Sequence, residues 1–314
     1  MLKYLLKRII AVLPVMFIVG IIVFFLMHLL PGNPAAMMLG PDATLEEIEA
    51  LSEKMGLNRP VPVQFVEWFS NIIRGDFGTS IFFQGQPVSK VVFDHFQATL
   101  LLTLFGLFLA VSFGLVVGVV AAVFHNKLMD RVVMIITSIG VAIPNFWLGL
   151  MLALFFSIIF PVLPPAGYVP LSAGFKECFK YLILPAVAIA FGQASLLARM
   201  TRANMLEVLQ NDYIRTARAK GLSEIKVIFK HGLKNALIPT LTVIGLSFAN
   251  LMGGAVVTEQ IFNIPGIGRL LVKSVFNRDY PVIEGIVLYI AGAWVIINLV
   301  IDILYSILDP RIKY

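Results

Sequence analysis

The apolar positions of the chain are collected in long runs. Six runs stand out: Ile9–Leu30, Phe96–Phe124, Val132–Phe160, Tyr181–Ala198, Asn235–Thr258 and Glu284–Leu308. The first five contain no Lys, Arg, Asp or Glu, and the sixth contains only Asp302 after its first residue. About 20 apolar residues in a helix cross the hydrocarbon core of a bilayer. The pattern therefore predicts an all-α polytopic membrane protein with six transmembrane helices.

The composition agrees with this prediction. The 314 residues are 59% hydrophobic and 13% charged, with a mean hydropathy of +0.91, whereas about 25% of the residues of soluble domains are charged. The first run has 22 residues, which exceeds the roughly 7–15 apolar residues of a cleaved signal peptide. We expect this run to be retained as an anchor.

The charged residues predict which helix ends share a side of the membrane. With six spans, one side would hold 15 Lys and Arg against 5 acids, and the other side 9 against 11. Basic residues concentrate on the cytoplasmic side of membrane proteins, so both termini are predicted to be cytoplasmic. The net charge of +6 follows from this asymmetry and needs no nucleic acid as a partner. The predicted organisation is a first span in 1–30, an outer segment in 31–95, a core of five spans in 96–308 with a cytoplasmic segment at 199–235, and a cytoplasmic tail in 309–314.

The outer segment contains an acidic amphipathic stretch, "TLEEIEALSEKMG". Thr44 and Glu47 have the spacing of a capping box, and Gly56 is suited to end the helix. Its apolar residues fall on one helical face: Leu45, Ile48, Leu51 and Met55. The following stretch, "LNRPVPVQFVEWFSNIIRGDFGTS", is rich in Pro, Gly and aromatic residues, and we expect it to pack as an irregular cap.

Residues typical of catalysis or metal binding are sparse. The single cysteine, Cys178, excludes an internal disulfide and a Cys-rich metal site. The four histidines show no i, i+4 pair and no HExxH motif. We therefore predict no catalytic residues, no cofactor and no metal site. Several spans contain helix breakers or small residues, which permit kinks and close helix packing: Pro14, Pro144, Pro185, Pro239, Gly114, Gly118, Gly253 and Gly254.

A basic, helix-prone segment, "NDYIRTARAKGLSEIKVIFKHGLKNALIP", separates the fourth and fifth runs. Asn211 or Asp212 can cap a helix over Tyr213–Lys220 that Gly221 ends. Ser223 can cap a second helix, Glu224–Lys234, before Pro239 opens the next span. The first helix is expected to present Ala217 and Ala219 to a partner between Arg215, Arg218 and Lys220. A partner protein and anionic lipid headgroups fit this charge about equally well.

The stretches "RTARAKG" and "NALIP" resemble the EAA motif of importer permeases of the ABC (ATP-binding cassette) superfamily. Arg215-Thr216-Ala217 stands where the general motif has Glu-Ala-Ala, and 17 residues separate Gly221 from Pro239. Both departures are similar to the dipeptide/oligopeptide/nickel branch. Six further motifs resemble the same branch in the same order: "LPGNPA" at 30–35, "GLNRPVPVQFVEWF" at 56–69, "GDFGTS" at 75–80, "IPGIGRLL" at 264–271, "RDYPVI" at 278–283 and "LDPRI" at 308–312.

The resemblance implies a type I ABC importer permease fold in a bacterial or archaeal cytoplasmic membrane. It implies four kinds of neighbour: a second homologous permease subunit, two cytoplasmic ABC ATPase subunits, an external solute-binding protein and the lipid bilayer. It also implies that the motif couples the permease to the ATPase through Arg215, Thr216, Ala217, Arg218, Ala219, Lys220 and Gly221. The implied cargo is a dipeptide or oligopeptide, with glutathione-like solutes and nickel chelates as alternatives.

A secondary transporter or channel without an ATPase is the competing class. Such a protein normally carries ionisable residues within its spans. The candidates are Asp302 and, at the membrane edge, Glu284. Asp302 lies about 9 Å of helix rise from Leu308, so a place near the cytoplasmic interface explains it better than a proton relay. Co-purification with an ATPase would separate the two classes.

Overall fold

The computed structural model describes residues 2–29, 33–40, 42–83 and 85–308. Its helices are α1 (Leu2–Leu29), α2 (Pro34–Leu39), α3 (Leu45–Lys54), α4 (Val61–Ile73), α5 (Val88–Val123), α6 (Leu128–Ala142), α7 (Asn145–Ala153), α8 (Phe175–Leu209), α9 (Asp212–Ala219), α10 (Glu224–Lys226), α11 (Lys234–Ile261), α12 (Ile267–Phe276) and α13 (Tyr280–Leu308). π-Helical turns follow α7 at Leu154–Ile159 and α10 at Val227–Leu233, and a 3-10 turn spans Leu171–Ala173. The all-α prediction is confirmed over these residues, where the one β contact is a bridge between Thr79 and Pro87. The predicted tail, 309–314, and the end of the first span at residue 30 lie outside them.

Within the described part of the chain, four helices are long and apolar enough to cross a membrane: α5, α8, the continuous helix Glu224–Ile261 and α13. α6 and the helix Asn145–Ile159, which begins with α7, are together long and apolar enough to cross, but the two are bent by 100° relative to each other. Within α1, the apolar stretch found in the described residues is shorter, Ile10–Leu26. A membrane protein of several spans is confirmed. The count of six and the side of the termini stay predictions.

The third predicted run is broken at Pro144. Ile143 is extended, with φ −75° and ψ 126°, because the ring of a following proline disfavours helical angles at the residue before it. By contrast, Pro14, Pro185 and Pro239 lie inside helices. A proline in a run is therefore not enough to locate a break.

The chain divides into two compact units, residues 1–97 with 269–296 and residues 98–268 with 297–314. In the first unit, α4 packs its aromatic face on α1. Phe65 and Phe69 make edge contacts with Phe17, at ring distances of 6.0 and 5.2 Å, and Trp68 lies 5.5 Å from Phe24. The expected irregular cap is wrong for Val61–Ile73. Its prolines stand at or before the first turn, where a helix tolerates a missing N–H.

Hydrogen bonds within the outer segment, and others from it to Asp279, hold the rest of the segment. The capping box of α3 is confirmed, because the Thr44 hydroxyl accepts from the Glu47 amide and the Glu47 carboxylate accepts from the Thr44 amide. The Thr44 amide and, second, the Thr44 hydroxyl both donate to the Glu47 carboxylate, and these two bonds lower the pKa of Glu47. Gly56 follows with φ +72°. Further along, the buried carboxylate of Asp279 accepts hydrogen bonds from Ser80 and from the amides of Ile81 and Phe82.

The second unit is built around α8. Its core collects Leu102 of α5, Leu182 and Ile189 of α8, and Leu251 and Phe262 near the end of α11. Small residues bring the helices together, because a Cβ on Gly114 would lie 2.7 Å from Leu197 and one on Gly118 would lie 2.6 Å from the Ala198 carbonyl oxygen. The Gly-x-x-x-Gly spacing of α5 thus marks a close helix contact.

Candidate functional site

The basic segment between α8 and α11 folds as a short helix, a sharp turn and a longer helix. α9 covers Asp212–Ala219, within one residue of the predicted bounds, and Gly221 turns the chain with φ +76°. This left-handed conformation suits glycine, which has no Cβ to clash with the backbone. The predicted side-chain cap is not formed: Asn211 is extended at the start of α9, but its amide donates to the Glu207 carbonyl instead.

An ion pair bridges the turn. Arg218 donates from Nε to one oxygen of Glu224 at 2.9 Å and from Nη2 to the other at 3.3 Å. Two parallel bonds of this kind fix direction as well as distance. Because both side chains are largely exposed, the pair contributes about 1 kcal/mol or less to stability. The main effect of the Arg218–Glu224 pair is therefore to set the angle between α9 and the helix that begins at Glu224, with a small contribution to stability.

One face of α9 is apolar and packs against the end of α8 and the start of the helix after Gly221. Ile214 and Ala217, three residues apart on one helical face, are buried with Val227 against Leu209. Ala217 is only 7% exposed. The expectation that Ala217 is presented to a partner is therefore wrong, since the start of the second helix covers it. Arg215, Thr216, Arg218, Ala219, Lys220 and Gly221 are exposed as expected.

The second helix does not end before Pro239. It runs from Glu224 to Ile261 without a break, passing through the π-helical turn Val227–Leu233. Gly232 lies in this turn, where a Cβ would meet Met205 at 3.3 Å and Leu209 at 3.5 Å. A proline inside a helix costs roughly 3 kcal/mol. Pro239 nevertheless lies within α11, between the buried residues Ala236 and Thr240.

Three exposed apolar residues that follow Gly221 were not predicted as site residues. Ile225 is 72% exposed, Phe229 57% and Leu222 37%. Exposed Lys226 and Lys230 lie beside them. An apolar centre with a charged rim is the usual anatomy of a protein interface. The i, i+4 spacing of Ile225 and Phe229, which places both on one helical face next to Lys226 and Lys230, is the sequence signal that could have identified them.

The segment is joined to both neighbouring helices. The Asn235 amide donates to the Tyr213 hydroxyl at 2.9 Å, linking α11 to α9. Asn204 of α8 donates to Thr240 of α11 at 3.1 Å. A displacement of α9 would therefore act directly on two of the long apolar helices.

The remaining candidate, Asp302, lies on α13, is half-buried and is not without an interaction partner. Among the described residues, no group of three or more His, Cys, Asp or Glu could hold a metal ion.

Two family models match the chain. The model described as binding-protein-dependent transport system inner membrane component covers residues 114–314, and the model of the N-terminal part of such components covers residues 1–103. The chain belongs to this family of ABC importer permeases. The ABC resemblance and the importer class are thereby confirmed.

Full-length relatives agree with the assignment of the chain to this family, and a solved structure shares its fold. A probable peptide ABC transporter permease protein of Sinorhizobium fredii is 44% identical over 99% of both chains. The glutathione transport system permease proteins of Salmonella typhimurium and Escherichia coli K12 are 43% and 42% identical over the full length. A methionine ABC transporter structure in an inward-facing conformation superimposes with a TM-score of 0.58 and 19% identity, covering 70% of this chain and 96% of that one, which supports the fold.

The protein is therefore a permease subunit of a binding-protein-dependent importer and a multi-pass protein of the bacterial inner membrane. Membership of the family also implies ATPase and binding-protein partners. Neither the segment 199–235 nor Asp302 is assigned a role by this membership.

Proposed function

We propose that the segment 199–235 docks on a cytoplasmic ATPase and couples its movement to the pore. The observation that carries this proposal is the exposed apolar group Leu222, Ile225 and Phe229 at a turn whose helices continue into the bundle. The motif residues contribute in different ways: Arg215, Thr216, Arg218, Ala219 and Lys220 line the rim, Gly221 shapes the turn, and Ala217 supports α9 from beneath.

The energy for transport would come from the partner. The sequence contains no GxxxxGK[ST] phosphate-binding loop, and in this proposal the chain is a pore subunit rather than an enzyme. Closure of the ATPases on ATP would displace α9, and the hydrogen bonds of Asn235 and Asn204 would pass this displacement to α8 and α11. ATP can shift the equilibrium between two pore states only by binding them with different affinity.

The same proposal fixes the topology and the assembly. Segment 199–235, both termini and the tail 309–314 would be cytoplasmic, and 31–95 would lie outside. A second, homologous permease would complete the pore, with two ATPases beneath and a binding protein above. Reconstitution with the ATPases and binding protein but without the second permease should give no uptake, and ATP-dependent uptake would show that the chain forms a pore with itself.

We propose a short peptide as the transported solute. The relatives are named for peptide and glutathione transport, and glutathione is itself a small amide-linked peptide. A nickel chelate is the weaker alternative. Uptake of labelled dipeptides, tripeptides and glutathione by vesicles containing the whole system, with its own binding protein, would decide among them. Uptake restricted to a metal chelate would overturn the proposal.

Gly221→Leu is the first test of the docking role. Leucine adopts the positive φ of this position only with strain of about 1–2 kcal/mol, and its side chain would project from an exposed turn where nothing of this chain lies within 4 Å. We expect the variant to fold and to lose a large part of its bound ATPase. The measurement is the ratio of ATPase to permease in the purified complex, followed by solute-stimulated ATP hydrolysis.

Gly221→Asn is the matched control, because asparagine tolerates the left-handed region better than leucine does. It should retain most of the ATPase. A Gly221→Leu complex with its full complement of ATPase and normal coupling would exclude docking at this turn. A segment that bound only lipid headgroups would instead respond to charge reversal and ignore Gly221→Leu.

A second test concerns the outer segment, which we propose docks the binding protein. α3 carries the exposed acids Glu46, Glu49 and Glu53, while Glu47 is engaged in its capping box. Replacing Glu46, Glu49 and Glu53 by Lys should reduce the affinity for the binding protein without affecting assembly of the membrane complex. Exposed charges mainly affect the association rate and the register of two protein surfaces. Binding can be measured on the complex in nanodiscs at low and high salt.

Glu177→Lys provides a control for charge reversal on the same side, since Glu177 is an exposed residue of α8 outside the segment. It should leave binding-protein affinity unchanged. If the triple variant also binds and transports normally, α3 is a structural cap and not a docking surface.

A further inference from the structure

A buried ion pair connects the start of α6 to α8. Arg202 donates from Nε to Asp130 Oδ1 at 2.6 Å and from Nη2 to Asp130 Oδ2 at 2.8 Å. The Asp130 side chain is 5% exposed and that of Arg202 20%. Two charges removed from water in this way depend on each other, because loss of one leaves the other uncompensated.

The loop between α5 and α6 completes the cluster. The Asn126 amide donates to Asp130 Oδ2 at 3.0 Å, and Asn126 adopts a left-handed conformation with φ +63° to reach it. His125 Nδ1 lies 3.0 Å from Arg202 Nη2 and 3.3 Å from Asp130 Oδ2. The Asp130 carboxylate therefore contacts the loop after α5, lies in the first turn of α6 and binds Arg202 of α8.

The position of the pair along α8 is as informative as its geometry. Arg202 stands seven residues before Leu209, where α8 ends, which corresponds to about 10 Å of helix rise, and α9 begins just beyond, at Asp212. α6 is the helix that breaks at Pro144. Between the pair and that break, α6 approaches α8 a second time, since a Cβ on Gly140 would overlap the Ser195 side chain. Two fixed points therefore hold α6 against the helix that leads into the segment 199–235.

We propose that Asp130 and Arg202 are positioning residues for transport. They fasten α6 to α8, so that a displacement of the segment 199–235 moves the broken span together with α8. This inference rests on the proposed coupling role of that segment. The pair touches neither solute nor ATP, and it acts by keeping the two helices in register during the transport cycle.

The test compares Arg202→Gln, Arg202→Lys and Arg131→Gln in the whole reconstituted complex. Arg131 is an exposed basic residue next to Asp130. Arg131→Gln is therefore the matched control, because it removes the same charge as Arg202→Gln but leaves the ion pair intact. Solute transported per ATP hydrolysed is measured for equal amounts of assembled complex. We expect this ratio to fall about tenfold in Arg202→Gln, within the range usual for coupling between sites. Retention of the ATPase should be unchanged.

The conservative variant separates positioning from folding. Lysine keeps the charge but cannot form the two parallel bonds, so Arg202→Lys should give an intermediate ratio, and Arg131→Gln a normal one. A normal ratio in Arg202→Gln would overturn the inference, as would failure of both Arg202 variants to assemble, because the pair would then serve folding alone. Loss of docking in Gly221→Leu is measured separately, so either proposal can fail without the other.

Discussion

Gly118→Leu should prevent the accumulation of folded permease. At this position α5 and α8 approach so closely that even a Cβ would lie 2.6 Å from the Ala198 carbonyl oxygen and 2.7 Å from Thr201 Cβ. The first of these atoms belongs to the backbone of a long helix and cannot rotate away. Overpacking in a core costs typically 1–3 kcal/mol, and a whole leucine between two helix backbones should exceed that range. The measurement is the yield and thermal stability of the detergent-extracted protein.

Gly253 supplies the control, because a Cβ there would meet nothing within 4 Å in this chain. The comparison is cleanest with alanine at both positions. Gly118→Ala should lower the free energy of unfolding by about 1–3 kcal/mol, while Gly253→Ala should leave it unchanged or raise it by up to about 1 kcal/mol through reduced backbone entropy. Equal stability of the two alanine variants would contradict the close packing of α5 on α8.

The membrane spans could be predicted because lipid imposes a simple requirement, a run of apolar residues of sufficient length. The same simplicity conceals the break between α6 and α7. The residues on both sides of the break are apolar with no charged residue from Val132 to Phe160, so hydropathy alone does not locate the change of direction. Pro144 marks the break, but Pro185 and Pro239 give the same signal and remain inside helices. Packing against neighbouring helices decides which proline ends one.

Helix α4 shows the opposite error, in which local signals hid a regular element. Its prolines and aromatic residues suggested irregular structure, yet the prolines occupy positions where a helix lacks intrahelical partners anyway. The aromatic residues pack on Phe17 and Phe24 of α1. Those partners lie some 40 residues away in the sequence, and a short stretch read by itself contains no information about them.

In the candidate site, local signals placed the helix and the turn but not the exposed face. The bounds of α9 agree with the prediction within one residue although the predicted Asn211 cap is not formed, and Gly221 adopts the expected left-handed conformation. The burial of Ala217 depends on Val227, which belongs to the next helix. Because that helix covers the small residues of α9, the apolar surface left for a partner shifts to Ile225 and Phe229. The motif that carried the resemblance is therefore only part of the proposed contact surface.

Alanine at Ile225 and Phe229 should release the ATPase from the complex. Their side chains are 72% and 57% exposed, so the free permease loses little packing when they are truncated. In a docked complex the same side chains would fill the partner's surface, where anchors of this kind cost about 2 kcal/mol or more on truncation. A cost of that size corresponds to a loss of affinity of roughly thirtyfold for each residue. The measurement is the dissociation constant of the ATPase for the permease in nanodiscs.

Lys226→Ala, on the same turn, is the control that separates docking from attraction to lipid. An exposed rim charge is worth about 1 kcal/mol or less, so this variant should lose less than tenfold in affinity, and its thermal stability should match that of the two apolar variants. If the segment instead bound only anionic headgroups, removing the lysine would weaken its attraction to lipid, and truncating Ile225 or Phe229 would not change ATPase binding. Unaltered affinity in the Ile225→Ala, Phe229→Ala double variant would therefore exclude this apolar pair as the docking surface, whatever the behaviour of the basic residues around it.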